Sequence, residues 1–244
     1  STIVALASKY PIVNMQRVDI DLASLKKHHL KGFFKFAREP LKAKIVLPNK
    51  KEIQLYVCHL KSNRDNEFEY VFTKEYTLKQ KLEKVNIALK DKYSESLKQR
   101  LCEASSLYSN IKNSPDIPTI LMTDLNDKEF SITIDALTNK KYHENIKEDE
   151  FLLIDAFHQY KKEIYNPHPE QKEILRTATS FFAGKGNVLD YIFVSNHFNK
   201  HNKNCLAKVS SYEILDEHLQ TNQNGSLLQS DHAQVVCELD FKEI

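Results

Sequence analysis

The fold is read from the stretch Ile120-Leu121-Met122-Thr123-Asp124-Leu125-Asn126-Asp127, in which an apolar strand runs directly into two carboxylates and an amide. Catalytic groups tend to gather where strands end. Hard oxygen donors of this kind suit Mg²⁺, although Asp and Asn also favour turns. Taken alone, the stretch leaves a metal site and an ordinary turn equally open.

Two later stretches place an acid and a base beside apolar strands. Leu189-Asp190-Tyr191-Ile192-Phe193-Val194 puts a carboxylate into an apolar strand, where it would be costly without a partner. Ser230-Asp231-His232-Ala233 offers that partner, because an imidazole held by a carboxylate acquires a fixed tautomer and a raised pKa, as a general base requires. The alternatives are a structural Asp–His hydrogen bond and a plain turn before a strand.

Two polar stretches lie next to predicted strands, one over Val57–Arg64 and one over Arg176–Phe182. Val57-Cys58-His59-Leu60-Lys61-Ser62-Asn63-Arg64 ends in an imidazole, an ammonium, a hydroxyl and a guanidinium, and by itself it reads as an ordinary exit from a strand. Arg176-Thr177-Ala178-Thr179-Ser180 reads as a polar strand edge. Only 5 of the 35 basic residues are arginine, so Arg64 and Arg176 carry more information than any lysine.

The composition indicates a soluble, folded protein. Of 244 residues, 41% are hydrophobic and 28% charged, which excludes a disordered chain, and no apolar run approaches the roughly 18 residues of a membrane span. The net charge of +2 lacks the basic excess of a protein that coats nucleic acid, so any contact with nucleic acid would need a local site. The sequence at Ser1 does not begin with a basic-then-apolar leader. Two compartments are therefore considered: the cytoplasm, or the exterior of the cell if a signal peptide precedes Ser1.

The spacing of the cysteines and histidines does not indicate a metal site. The four cysteines form no C-x-x-C pair, so buried free thiols are favoured over disulfides or zinc. The pair His28–His29 and the run through His197 and His201 lack a supporting Cys or carboxylate at ligand spacing. They are interpreted as solvated loops.

Strand-like segments recur along the whole chain, and helical spacing occurs only between them. Leu78 to Leu89 and Leu97 to Ile111 repeat at helical spacing and predict one long helix or two. Few long helices among many strands predict a single α/β domain over residues 1–244, a two-sheet, mostly antiparallel sandwich with helices on its outer faces. The predicted strands are Thr2–Ala7, Ala43–Leu47, Ile53–Leu60, Thr119–Thr123, Leu189–Val194, Val209–Leu215 and Ala233–Leu239.

The order of the motifs resembles the endonuclease/exonuclease/phosphatase superfamily of metal-dependent phosphoesterases. His-x-Lys-Ser, Asp-x-Asn-Asp, Leu-Asp-Tyr-Ile and Ser-Asp-His follow one another between Val57 and Val236. Leu6-Ala7-Ser8-Lys9-Tyr10-Pro11-Ile12 resembles the opening segment of that superfamily. The resemblance implies the four-layer α/β sandwich of pancreatic deoxyribonuclease.

The resemblance also implies roles for particular residues. His232 would act as general base on a water, Asp190 would orient it, and His59 would contact a phosphate oxygen or assist the leaving group. Asp124 and Asn126 would hold the phosphate, position the nucleophile and, with Asp231, bind Mg²⁺ or Mn²⁺. Lys61, Ser62 and Arg64 would make further phosphate contacts.

One departure from the superfamily pattern concerns the metal. Relatives carry two strands before the Ser-Lys-Tyr-Pro-Ile segment, which supply an Asn and a metal-binding Glu, and nothing between Ser1 and Tyr10 replaces that Glu. A trimmed or processed N-terminus is favoured over a natural short form. The 244 residues alone are therefore expected to bind Mg²⁺ weakly and to hydrolyse phosphodiesters feebly.

The leading hypothesis is a Mg²⁺-dependent phosphodiesterase, most simply a nuclease that cuts DNA or RNA by attack of an activated water on phosphorus. A phosphomonoesterase or a lipid phosphodiesterase, such as an inositol phosphatase or a sphingomyelinase, is the enzymatic alternative. A non-catalytic binding module of the same fold is the third hypothesis. Oligomeric state is not predicted.

Overall fold

The computed structural model describes residues 3–30, 34–63, 71–90, 94–143, 152–160, 176–182, 185–221 and 230–242. Its strands are β1 Ile12–Gln16, β2 Leu41–Val46, β3 Glu52–His59, β4 Thr119–Asp124, β5 Leu153–Asp155, β6 Ser180–Phe182, β7 Lys185–Asn187, β8 Asp190–Ser195, β9 Ala207–Leu215 and β10 Gln234–Phe241. Its α-helices are α1 Leu22–Lys27, α2 Leu78–Lys90, α3 Glu95–Lys112, α4 Ile132–Thr138, α5 Ala156–Gln159 and α6 Glu217–Thr221.

A six-stranded sheet in the order β1-β2-β3-β4-β8-β5 forms the centre of the molecule. Only its β3–β4 pair is parallel, and its other neighbours run antiparallel. Two antiparallel strand pairs, β9–β10 and β6–β7, complete the described sheet structure. This mixed arrangement agrees with the predicted antiparallel sandwich and excludes a doubly wound parallel sheet.

Alternating apolar residues give the central sheet a core on each face. Tyr191 and Phe193 of β8 belong to the core shared with α2, α3 and α4. Val194, the next residue, belongs to the core shared with β9 and β10. Helices thus cover one face of the sheet, and a second, smaller sheet covers the other.

Helix α3 is the most deeply buried helix of the described chain. Leu97, Leu101, Ala104 and Leu107 are each at most 1% exposed and point into the core as their spacing predicts. Charged residues of the same helix are buried too: Arg100 and Glu103 are each 1% exposed. The two predicted helical patterns form two helices, α2 and α3.

Two predictions of local structure need correction. The described part of Thr2–Ala7 forms no strand; Ile3 is 81% exposed, and a strand requires a neighbouring strand for its backbone hydrogen bonds. The first strand is instead Ile12–Gln16, at the edge beside β2. His28 is not on a solvated loop but is 2% exposed, with Nε2 3.3 Å from Tyr142 Oη.

All four cysteines are free thiols, and Cys58, Cys102 and Cys205 are buried as predicted, whereas Cys237 is half-buried. Among the described residues, no helix has the length and apolar character needed to cross a membrane.

Candidate active site

Three adjacent strands bring three predicted site residues into one row. His59 is the register partner of Asp124 across the parallel β3–β4 pair, and Asp124 is the partner of Asp190 across the antiparallel β4–β8 pair. His59 and Asp124 end their strands, and Asp190 begins its own. The row therefore lies along the edge of the central sheet that is formed by strand ends. All three side chains are half-buried there.

The motif Asp124-Leu125-Asn126 ends β4 by its own local hydrogen bonds. Asp124 Oδ1 accepts the backbone N–H of Asn126 at 2.7 Å, an Asx turn. Asn126 has φ 50°, a left-handed conformation that Asn tolerates better than most residues. Its side-chain Nδ2 donates to Leu60 O at 3.1 Å, which fixes the amide beside the end of β3.

His232 reaches the row from the short segment that precedes β10. Its Nδ1 lies 2.8 Å from Asp190 Oδ2, so the Asp–His contact expected from the sequence is present. Ser180 and His232 pair as an isolated antiparallel bridge. His218 Nε2 lies 3.0 Å from His232 O and holds the segment from α6.

Thr179 joins Asp190 to the segment of His232. Its Oγ1 accepts the backbone N–H of Leu189 and of Asp190, at 2.9 and 3.0 Å. Its carbonyl accepts the N–H of Ala233 at 2.7 Å. One buried threonine thus fixes the backbone on both sides of the Asp190–His232 hydrogen bond.

Burial and neighbouring charges shift the pKa of three groups in the row. The hydrogen bond to Asp190, together with the charges of Asp190, Asp124 and Asp231, raises the pKa of His232 to about 8 against the opposing effect of burial. Burial and the nearby Asp190 carboxylate raise the pKa of Asp124 to about 6. Burial, Arg38 and His232 lower the pKa of His59 to about 4.

The same edge offers a set of ligands that fits a divalent cation. One ligand atom each from Asp124, Asp190 and His232 lie within 4.8 Å of one another, the only such group among the described residues. Burial and then the facing Asp190 carboxylate raise the pKa of Asp124, and a hard cation between the two carboxylates would relieve their mutual repulsion. These oxygens suit Mg²⁺ or Mn²⁺.

The remaining predicted site residues lie around this group. Asp231 is exposed at the bend before His232 and outside the three-residue ligand group. Lys61 and Ser62 follow the end of β3 and are half-buried beside the row. Arg64 lies outside the described residues.

Arg176, singled out in the sequence, is a buried structural residue. Its guanidinium pairs with Asp155 at 2.5 Å and lies over the rings of Phe157, Tyr191 and Tyr212. Its side chain is 1% exposed and bonded to Asp155 and Tyr212, so this guanidinium is not open to a substrate from solvent.

Arg38 is a site residue that the sequence interpretation missed. Its Nη1 donates to Leu60 O at 2.9 Å and its Nη2 to Ser62 Oγ at 3.3 Å. Its charge helps to lower the pKa of His59 and opposes the rise in the pKa of Asp124. The scarcity of arginine in the chain was the available signal, because Arg38 is one of only five.

Comparison with solved structures gives the fold. The catalytic domain of human Nocturnin, solved with a bound sulfate anion, matches with a TM-score of 0.53 and 16% identity over 96% of this chain and 60% of that chain. An endonuclease/exonuclease/phosphatase family protein from Bacteroides thetaiotaomicron matches with a TM-score of 0.46 and 15% identity, over 87% and 60%. D. rerio TDP2, complexed with a single-strand DNA product, matches with a TM-score of 0.49 and 12% identity, over 94% and 68%.

No protein-family model and no curated protein sequence matches the chain. The chain spans 60% of the length of each of the first two solved structures. The predicted fold class is confirmed: this chain has the α/β sandwich fold of endonuclease/exonuclease/phosphatase proteins such as the Nocturnin catalytic domain.

Proposed function

We propose that this protein is a metal-dependent phosphodiesterase, and that its substrate is a nucleic acid. The observation that carries the proposal is the convergence of His59, Asp124, Asn126, Asp190 and His232 on one edge of the sheet. These five side chains come from four segments that lie far apart in the sequence, and all five are polar groups that add no apolar surface to the core. Their chemistry matches what the hydrolysis of a phosphoester requires.

His232 is assigned the role of general base. Its Nδ1–H donates to Asp190, which fixes the tautomer and leaves Nε2 to take a proton from the attacking water. The Asp190 carboxylate also stabilises the imidazolium that forms. This pair is the acid–base element of the proposed reaction.

A second group of residues is assigned to the phosphate. Arg38 and His59 offer N–H donors to its oxygens, with the Ser62 hydroxyl and the Lys61 ammonium beside them. Asp124 and Asn126 orient the water and the phosphate in the line of attack. Asp124 and Asp190, with Asp231 as a further candidate, would hold the Mg²⁺ or Mn²⁺, which when bound neutralises charge that develops on the phosphate oxygens.

The test measures hydrolysis by the purified chain with Mg²⁺, Mn²⁺ or EDTA. Substrates are single- and double-stranded DNA, RNA, bis(p-nitrophenyl) phosphate and the monoester p-nitrophenyl phosphate. We expect metal-dependent cleavage of diesters, and a loss of about 10²–10⁴-fold in His232→Ala and Asp190→Asn.

His201→Ala is the matched control, because His201 is an exposed histidine on a turn. It should retain the wild-type rate, and circular dichroism should show that all variants are folded. Cleavage that survives His232→Ala, or that is equally fast in EDTA, would refute the proposal. Preference for the monoester would replace the nuclease with a phosphatase.

A further inference from the structure

We propose that Arg100 and Glu103, buried on α3, are positioning residues that fix the Arg38 guanidinium relative to His59 and Asn126. Neither would touch the substrate; both would act through the loops that carry the residues in contact with it. This inference rests on the proposed function, because it explains how the phosphate-binding side of that site is held in place.

Glu103 binds two site loops with one carboxylate. Its Oε1 accepts the N–H of Ala37, the residue before Arg38, at 2.7 Å, and its Oε2 accepts the N–H of Lys61, two residues after His59, at 2.6 Å. Hydrogen bonds of this length to a carboxylate are of the strong, charge-assisted kind. Glu103 thereby sets the distance between the loop of Arg38 and the end of β3.

Arg100 extends this connection to a third loop. Its Nη1 donates to Lys61 O at 3.3 Å and its Nε to Asp127 Oδ2 at 3.2 Å. Asp127 directly follows Asn126 and also accepts the hydroxyl of Thr133 at 2.6 Å. The two α3 residues, one turn apart, are thus bonded to the loops of Arg38, His59 and Asn126.

The burial of these charges is the reason to infer a role in positioning. Buried ion pairs are seldom worth more to stability than well-packed apolar residues of similar size. Several other inward positions of α3, such as Leu97 and Leu101, are apolar, whereas Arg100 and Glu103 are charged. The two charged residues bond mainly to the backbone of the loops beside the site. Their contribution is to fix the positions of those loops.

Glu103→Gln tests this inference directly. An amide has one acceptor oxygen, so one of the two loop N–H groups would face an NH₂ donor and the loop would shift. A displacement of about 1 Å in a catalytic group can cost about 10²-fold in rate, and we expect a loss of this order in kcat/KM for phosphodiester hydrolysis. Asp135→Asn is the matched control, because Asp135 is a buried carboxylate on α4 that pairs with Lys81; it should keep the wild-type rate.

A double-mutant cycle separates positioning from general loss of stability. If Glu103 acts through Arg38, Glu103→Gln combined with Arg38→Ala should be no slower than Arg38→Ala alone. Additive losses would overturn the inference. If Glu103→Gln fails to fold, Arg100→Lys serves in its place, because it keeps the charge but cannot form both bonds of the guanidinium.

Inorganic phosphate gives a readout that does not need catalysis. In ¹H–¹⁵N spectra, Glu103→Gln should move the amide signals of Ala37 and Lys61 and should weaken phosphate binding as much as Arg38→Ala does. If no phosphoester is hydrolysed but this weakening is seen, the proposed function fails and the positioning role stands. Unchanged phosphate affinity and unchanged rate in folded Glu103→Gln would refute the positioning role.

Discussion

The contact between His59 and Asp124 is not an ion pair near neutral pH. Nε2 and Oδ2 lie 3.1 Å apart. Burial lowers the pKa of His59 to about 4 and raises the pKa of Asp124 to about 6, so the imidazole is neutral wherever the carboxylate is ionised. The contact therefore joins a neutral imidazole to a carboxylate, and His59 carries no permanent charge that Asp124 would have to balance.

His28 leads to a prediction about pH and stability. Burial, with Lys27 nearby, lowers the pKa of His28 from 6.5 to about 3. Because the folded-state pKa of this base is depressed, the unfolded chain takes up the proton first as the pH falls. Stability is therefore lost between pH 6.5 and about 3, and His28 alone should cost about 2 kcal/mol between pH 7 and pH 5.

Urea unfolding at pH 7 and pH 5 measures this effect. His28→Gln should show a smaller loss of unfolding free energy between the two pH values than the wild type. His29→Gln, at the exposed neighbouring position, should keep the wild-type difference. The same pH dependence in His28→Gln and in the wild type would show that His28 is not buried as a neutral base.

At the scale of elements, the start of β8 depends on Thr179, the residue before β6. Thr179 Oγ1 accepts two backbone N–H groups of the segment that leads into β8. Thr179→Val keeps the shape but leaves both donors unpaired, each at a cost of about 1–3 kcal/mol. We expect Thr179→Val to lower the free energy of unfolding by about 2–4 kcal/mol in urea titrations. Thr179→Ser keeps the hydroxyl and should lose much less; equal stability of the Val and Ser variants would contradict the assignment.

Most of the sheet was predictable because its strands carry long apolar or alternating runs. The ends of β2, β3, β4, β8, β9 and β10 lie within two residues of the predicted ends. β5, β6 and β7 have three residues each, too few for a periodic pattern to show. The segment Thr2–Ala7 has the composition of a strand, yet Ile3 is 81% exposed. Composition does not supply the neighbouring strand that pairing needs.

The site was predictable only in part. His59, Asp124, Asp190 and His232 stand out because polar residues end or interrupt apolar strands. Arg38 and Glu103 do not stand out, because their importance comes from contacts across the fold: Ala37 and Glu103, for example, are 66 residues apart. Such contacts follow from the packing of α3 against the site loops and have no local sequence pattern.

At the scale of the molecule, both cores share the central sheet. Phe193 and Val194 are neighbours in β8 and are fully buried, one in each core. A cavity on either face would therefore disturb the same strand. We infer that the described residues form one domain, as the absence of a Gly/Ser linker in the sequence predicts.

The facing carboxylates of Asp124 and Asp190 imply a conflict between heat resistance and activity. Burial and Asp190 raise the pKa of Asp124 from 3.8 to about 6, so above that pH its ionised form destabilises the fold by about 3 kcal/mol. Without added metal at pH 8, Asp124→Asn should melt at a higher temperature, while Asp116→Asn, at an exposed position, should not. A lower melting temperature for Asp124→Asn would refute this. Selection for thermal tolerance alone would then discard an acid that the proposed reaction needs, and a heat-resistant version that keeps Asp124 would have to gain stability elsewhere in the fold.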